Sequence, residues 1–171
     1  MSYFSQFSTT LYDPAGDGSA KLCTDIMSRV RVRANMKKEI VMLDPYDVKE
    51  NETPEIVADK HHGSPYYHWV VMLLNDISDV NHDWVKSTRQ MQKYLLSKYT
   101  ETQLTETHHY EISQTSGDTT IKIEVENTTY PTATAITNYE YEIAVNESKR
   151  KIDLLRNDYL GFFTEEFASL I

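Results

Sequence analysis

An α+β fold is predicted by three observations. Two helix starts with the same punctuation, Thr53-Pro54 and Ser64-Pro65, follow a short strand pattern at Tyr46-Asp47-Val48-Lys49. Two segments, 109–113 and 119–126, alternate apolar and polar residues around Thr115-Ser116-Gly117-Asp118, as an antiparallel hairpin requires. Leu160, Phe163, Phe167 and Leu170 recur at helical spacing near the C-terminus.

Taken in order, residues 1–20 are rich in Ser, Thr, Gly and Asp, with a Pro14-Ala15-Gly16-Asp17-Gly18 loop and Tyr3, Phe4, Phe7, Leu11 and Tyr12 spaced along them. Two readings stand side by side: a flexible arm, or an arm whose aromatics order against a neighbouring subunit. Thr24-Asp25-Ile26-Met27 suggests a short turn of helix. Residues 28–33 read SRVRVR, placing Val30 and Val32 on one side and Arg29, Arg31 and Arg33 on the other. That pattern suits a charged edge strand first, and a guanidinium row facing an acidic partner second. Residues 39–43 read EIVML, a second strand candidate ended by Asp44-Pro45.

At Thr53 and Ser64 a hydroxyl can cap the free N–H groups, while proline occupies the first helical position, where no N–H is needed. Gly63 lies where the first helix must stop. The second helix carries Tyr66, Trp69, Val70, Val71, Met72, Leu73 and Leu74, too little polar face for a surface helix. Ser87 and Gln90 form a capping-box pair that opens a helix to about Tyr99, with Met91, Tyr94 and Leu95 on one face. The hairpin follows, then a threonine-rich connector at 128–135. Thr137 and Glu140 form a second capping box for a helix to about Lys149. Residues 151–156 read as a short strand or a continuation of that helix, with the strand favoured. Asn157 is positioned to cap the last helix, in which Glu165 and Glu166 face water and Gly161 costs about 1 kcal/mol relative to alanine. The domain reading is an arm at 1–20, a core domain at 21–100, a hairpin insertion at 101–135 and a helical segment at 136–171.

Composition narrows the function. A formal charge of −9 argues against nucleic acid, whose phosphates need a basic surface. Twelve tyrosines, against two tryptophans and five phenylalanines, suit interfaces as well as cores. The single cysteine, Cys23, excludes an internal disulfide and reads as a buried or unreactive thiol. The start of the chain lacks the basic and apolar regions of a signal peptide, and the run 69–74 is too short to span a bilayer. The sequons at Asn51, Asn127 and Asn146 carry no weight.

No G-x-S-x-G, H-E-x-x-H or phosphate-cradling glycine loop is present, so no enzyme, cofactor or metal is expected. Neighbouring histidines in the doublets His61-His62 and His108-His109 point apart on regular structure, which works against a shared metal site. A zinc site from His61, His68 and His82 is outweighed by surface or capping roles. Asp79-Val80-Asn81-His82-Asp83 begins like a calcium loop, but Trp84 and Gln90 stand where glycine and glutamate are needed. Asp76, Asp79 and Asp83 instead read as turn and capping residues.

Tyr46, Val48, Thr53, Ile56, Ala58, Lys60, Trp69, Leu74 and Asn75 resemble the front of a LysM module, a small β-α-α-β fold that often binds N-acetylglucosamine polymers. The back departs, because no glycine turn and apolar strand follow Asn75. With Ser64-Pro65-Tyr66-Tyr67-His68-Trp69, the run 76–84, the run 141–150 and the Thr24-Asp25-Ile26 start, the chain is more similar to the baseplate wedge protein 53 family of contractile-tailed bacteriophages, which contains a LysM-like domain. That resemblance implies a LysM-like core with an added hairpin and C-terminal amphipathic helices. It implies a structural wedge subunit, assembled in host cytoplasm into the virion tail, that joins neighbouring wedges around the hub. Its partners would be other wedge and hub subunits, not nucleic acid or membrane. A LysM-type peptidoglycan-binding module is the alternative. The candidate partner-contact residues are Tyr3, Phe4, Phe7, Tyr12, Arg29, Arg31, Arg33, Tyr66, Tyr67, Trp84, Phe163 and Phe167.

Overall fold

The computed structural model describes residues 3–27, 30, 32 and 40–171. The chain divides into two units, Met1–Trp84 with Lys151–Ile171, and Val85–Arg150. This two-unit division is drawn at other positions than the expected boundaries at 20, 100 and 135. Helices and antiparallel strands are mixed, as the α+β reading requires.

In the first unit a 3-10 turn, Tyr3–Gln6, precedes a hairpin of β1 (Thr9–Tyr12) and β2 (Lys21–Thr24). Thr24 therefore ends a strand, and only a turn at Ile26 and Met27 follows, held by the Met27 N–H on the Asp25 carboxylate. Residues 40–42 form a 3-10 turn, not a strand, and β3 (Leu43–Asp47) runs through Asp44-Pro45. Then come α1 (Pro54–His62) and a 3-10 turn, Pro65–Tyr67, that leads into α2 (His68–Leu74). A short α3 (Val80–Asp83) closes this part. After the second unit the chain returns as β7 (Lys151–Leu155) and α7 (Asn157–Leu170).

β3 pairs antiparallel with β7, Leu43 opposite Leu155 and Asp47 opposite Lys151. This pairing explains why proline is tolerated inside β3. Pro45 faces Asp153, whose backbone N–H and C=O both turn away from β3 to the side-chain amide of Asn75, at 2.9 and 2.8 Å. The pair is of the non-hydrogen-bonded kind, so the missing proline N–H breaks no ladder bond. Asn75 also closes the far edge of β7.

The expected helix punctuation holds in part. Proline starts α1 and the turn before α2, and Gly63 ends α1 at φ +72, the left-handed conformation that favours glycine. The Ser64 hydroxyl accepts from the Tyr66 N–H, but Thr53 makes no side-chain cap. Ile152 and Leu154 are buried on one face of β7, and Leu155 on the other joins a core of Phe7, Trp69, Val70, Leu74, Phe163 and Phe167. Val30 and Val32 both pack against this core, the shared side expected of them.

The second unit holds α4 (Thr88–Lys98), α5 (Glu101–Leu104), β4 (Thr107–Ser113), β5 (Lys122–Val125), β6 (Thr134–Thr137) and α6 (Asn138–Ser148). The expected hairpin is present, with Tyr110 opposite Val125 and Ile112 opposite Ile123. The threonine-rich segment read as a connector supplies β6, which pairs with the other edge of β4. Capping boxes start α4 at Ser87, α5 at Thr100 and α6 at Thr137.

Candidate functional site

The sequence-derived contact residues fall into three groups. Phe7, Trp84, Phe163 and Phe167 are buried, and Tyr3 and Tyr67 pack against the core. The Tyr3 ring lies 4.9 Å from Phe7, 5.6 Å from Trp69 and 5.5 Å from Phe167, so this part of the N-terminal segment is seated in its own chain. Such aromatic clusters bury large areas and favour edge or tilted contacts. The Trp84 indole N–H donates to the Glu52 carbonyl at 2.7 Å. Phe4, Tyr12 and Tyr66 are left at the surface, 55%, 59% and 64% exposed. Arg29, Arg31 and Arg33 lie outside the described residues.

Sequence reasoning placed Leu11 along the N-terminal arm but missed the other exposed apolar groups. Leu11 and Leu22 sit directly opposite each other in the β1–β2 hairpin, both exposed, with Ile26 and Met27 exposed just beyond. Every residue of both strands is exposed. Cys23 is on this hairpin and is also exposed, which removes the buried half of the buried-or-unreactive reading. Phe162 is 65% exposed. It stands one residue, about 100°, around the helix from buried Phe163. The 160–163–167–170 pattern draws attention away from it, and Leu170 itself is exposed.

Most buried charge is consumed in fastening each unit. In the first, Glu52 accepts from the Tyr46 hydroxyl (2.9 Å), the Lys49 N–H (2.8 Å) and the Lys60 ammonium (2.6 Å). Burial pushes the Glu52 carboxyl up, but these donors together outweigh it and hold it below the ordinary carboxylate value. Burial and the facing Glu52 carboxylate push the Tyr46 hydroxyl up to about 12. In the second unit Glu142 takes the same part, accepting from Lys98 (2.5 Å) and the Tyr99 hydroxyl (3.0 Å). Its carboxyl is likewise lowered against the effect of burial. Asn146 brackets the backbone of Lys86, accepting from its N–H at 2.8 Å and donating to its carbonyl at 3.0 Å, as Asn75 brackets Asp153. A carboxylate saturated by donors and held ionised is poorly placed to exchange protons with a substrate.

The histidines are tied into the fold. The His61 ring nitrogen Nε2 donates to the Leu155 carbonyl at 3.0 Å. Asn157, expected to cap α7, lies inside that helix and instead donates to the His61 carbonyl at 2.7 Å while its Oδ1 meets His62 Nδ1 at 2.9 Å. Burial lowers the His62 pKa, so its ring stays neutral and donates from Nδ1. His68 Nδ1 bonds the Pro65 carbonyl, and His82 bonds Asp79. Asp79 caps α3, and Asp83 accepts from Ser78 and from the Asp79 N–H. Among the described residues no three His, Cys, Asp or Glu side chains converge as metal ligands. A cleft of about 280 Å³ on the second unit's sheet is lined by Glu111, Ser113, Lys122, Thr132 and Thr134 with Ile112 and Ile136. Within it Lys122 already donates to the Ser113 hydroxyl.

Buried polar groups brace each unit internally, and several large apolar side chains are left exposed. Comparison with known families gives the class of protein. The sequence profile described as base plate wedge protein 53 matches residues 22–132, and the chain belongs to that family. No curated protein matches it. The family places the chain among structural components of a phage tail baseplate. Among the described residues no helix is long and apolar enough to cross a membrane.

Proposed function

We propose that this chain is a wedge subunit that joins neighbouring wedges into the ring around the hub, added during assembly in the host cytoplasm. The β1–β2 hairpin carries this reading. A two-stranded hairpin is marginal by itself, and among the described residues none covers either of its faces. Leu11 and Leu22, opposed on one face, are the residues a neighbouring subunit would bury, with Ile26 and Met27 extending the contact. Phe4, Tyr66 and Phe162 are the further anchor points. Aromatic and apolar anchors of this kind dominate subunit contacts.

Co-expression with the neighbouring tail proteins, followed by native mass measurement, tests the proposal. A stable complex with a second wedge component supports it, and a chain that stays alone with every one of them overturns it.

One observation favours a second reading, a LysM-type glycan binder. The order β3-α1-α2-β7, with the two strands paired antiparallel, reproduces a β-α-α-β plan, the closing strand arriving from 151–155. Retention on insoluble peptidoglycan would support this reading. Flow-through would remove it and leave the wedge proposal standing.

A further inference from the structure

β5 is an outer strand of its sheet and is hydrogen-bonded to β4 alone. Its register with β4 fixes which backbone groups it has left over. The Gln114 N–H donates to the Ile121 carbonyl at 2.9 Å just before the ladder begins. The pairs Ile112–Ile123 and Tyr110–Val125 follow at intervals of two residues. Bonded and non-bonded pairs alternate in an antiparallel ladder, so Ile121, Ile123 and Val125 turn their backbone groups toward β4. Lys122 and Glu124 turn their N–H and C=O to the open edge, where among the described residues nothing meets them.

The side chains alternate as well. Ile121 and Ile123 share one face with Val125 and are 48% and 42% exposed. Lys122 and Glu124 are exposed on the other face. Edge strands commonly carry charge that keeps other strands away. Here the two charges are opposite in sign and flank Ile123, so they do not repel a second copy of the same strand. Laid antiparallel with Ile123 facing its own counterpart, two β5 strands set Lys122 of each copy against Glu124 of the other. Ile121 then faces Val125. The residues with backbone groups left over, Lys122 and Glu124, become the bonded pairs of the new ladder, and Ile123 lies on the two-fold axis. A slip of one residue would turn the aliphatic side chains to the wrong face. A slip of two would set Lys122 against Lys122 or Glu124 against Glu124.

The same pairing answers a repulsion inside each copy. Glu124 stands directly opposite Glu111, and like charges so placed cost stability. Lys122 of a second copy would arrive on the other side of Glu124. Lys122 donates to the Ser113 hydroxyl at 2.7 Å, and an ammonium with three hydrogens can serve a carboxylate at the same time.

We propose that β5 is a self-pairing edge through which two copies of this chain join their three-stranded sheets into one continuous antiparallel sheet. A two-fold contact closes on two copies and does not propagate around a ring. It is therefore separate from the contact proposed for the β1–β2 hairpin, and the purified chain alone suffices to test it.

Sedimentation velocity of the full chain should show a concentration-dependent passage from one copy to two. Lys122→Glu and Glu124→Lys each turn both cross-copy pairs into like charges, and each should weaken the dimer by about tenfold. Mixed together, the two variants are complementary again and should pair with each other as strongly as the unmodified chain pairs with itself. Recovery on mixing also shows that both variants are folded. Amide exchange at Lys122 and Glu124 should slow in the dimer, while Ile123, already bonded to β4, should not change. A single copy at every concentration would overturn the proposal. So would single variants that pair as before, a mixture that stays apart, or a dimer that leaves exchange at Lys122 and Glu124 untouched.

Discussion

Replacing Glu52 by glutamine probes the fastening of the first unit. Glu52 is 7% exposed and receives three donors. The single carbonyl oxygen of glutamine can still accept from the Lys49 N–H and the Tyr46 hydroxyl. Its amide NH₂ is then turned toward the Lys60 ammonium, donor against donor. The Lys60 side chain is 56% exposed and can return its charge to water, so the penalty falls short of the 3–5 kcal/mol or so of a fully buried broken pair. Loss of one charge-assisted hydrogen bond and weakening of two others amounts to about 2–3 kcal/mol. For a chain of this size that lowers Tm by about 4–10 °C.

The pH dependence has a definite sign. The Glu52 carboxyl is held below its ordinary value of 4.5, so its contribution is complete above that value and is lost as pH falls through the folded-state value. Thermal denaturation followed by circular dichroism should show a constant gap between the two proteins from pH 7 down to about 5, narrowing below about 4.5. Equal Tm values at pH 7, or a gap that persists undiminished in acid, would refute the reasoning.

Other substitutions give separate checks. Gly161→Ala should raise stability by about 1 kcal/mol, since a Cβ there meets nothing within 4 Å and the backbone is not in the left-handed region; urea denaturation measures it. Asn75→Ala should cost about 0.5–1.5 kcal/mol, because the Asp153 N–H and C=O are exposed and exchange the side-chain amide for water, and hydrogen exchange at Asp153 should rise sharply. The neutral, half-buried His62 ring must charge in acid, so its depressed pKa withdraws stability as pH falls below the ordinary value of 6.5. His62→Phe should lessen the fall in Tm between pH 7 and 5.5.

Local signals in the sequence were read well where the physics is local. The Pro54 and Pro65 starts, the Gly63 stop and the Ser87 and Thr137 boxes are each settled within four residues, and all appear. The Thr100 box has the same form and was passed over inside a polar stretch. What escaped depends on contacts distant in sequence. The strand pairing β3 follows residue 150, so nothing near Asn75 announced it, and Pro45 looked like a strand end until its partner was known. The β6 threonines acquire strand character from β4, a partner more than twenty residues earlier. Asn157 has good capping chemistry, but His61 and His62 claim its side chain. Helical spacing found Phe163 and Phe167 and took them for contacts, whereas they fill the core and Phe162 faces outward. Side-chain type identifies an aromatic anchor but not which side of the surface it ends on.

The central claim is that the exposed hairpin exists to be covered by another subunit. It is tested most directly by making Leu11→Ser and Leu22→Ser together and comparing the variant with the unmodified chain in native mass spectra after co-expression with wedge components. Both side chains are exposed, so the isolated variant should keep its stability within about 0.5 kcal/mol. Burying two leucines in a partner is worth about 3 kcal/mol or more, so the complex should weaken by about a hundredfold or more. A variant that enters the complex as readily as the unmodified chain would contradict the account.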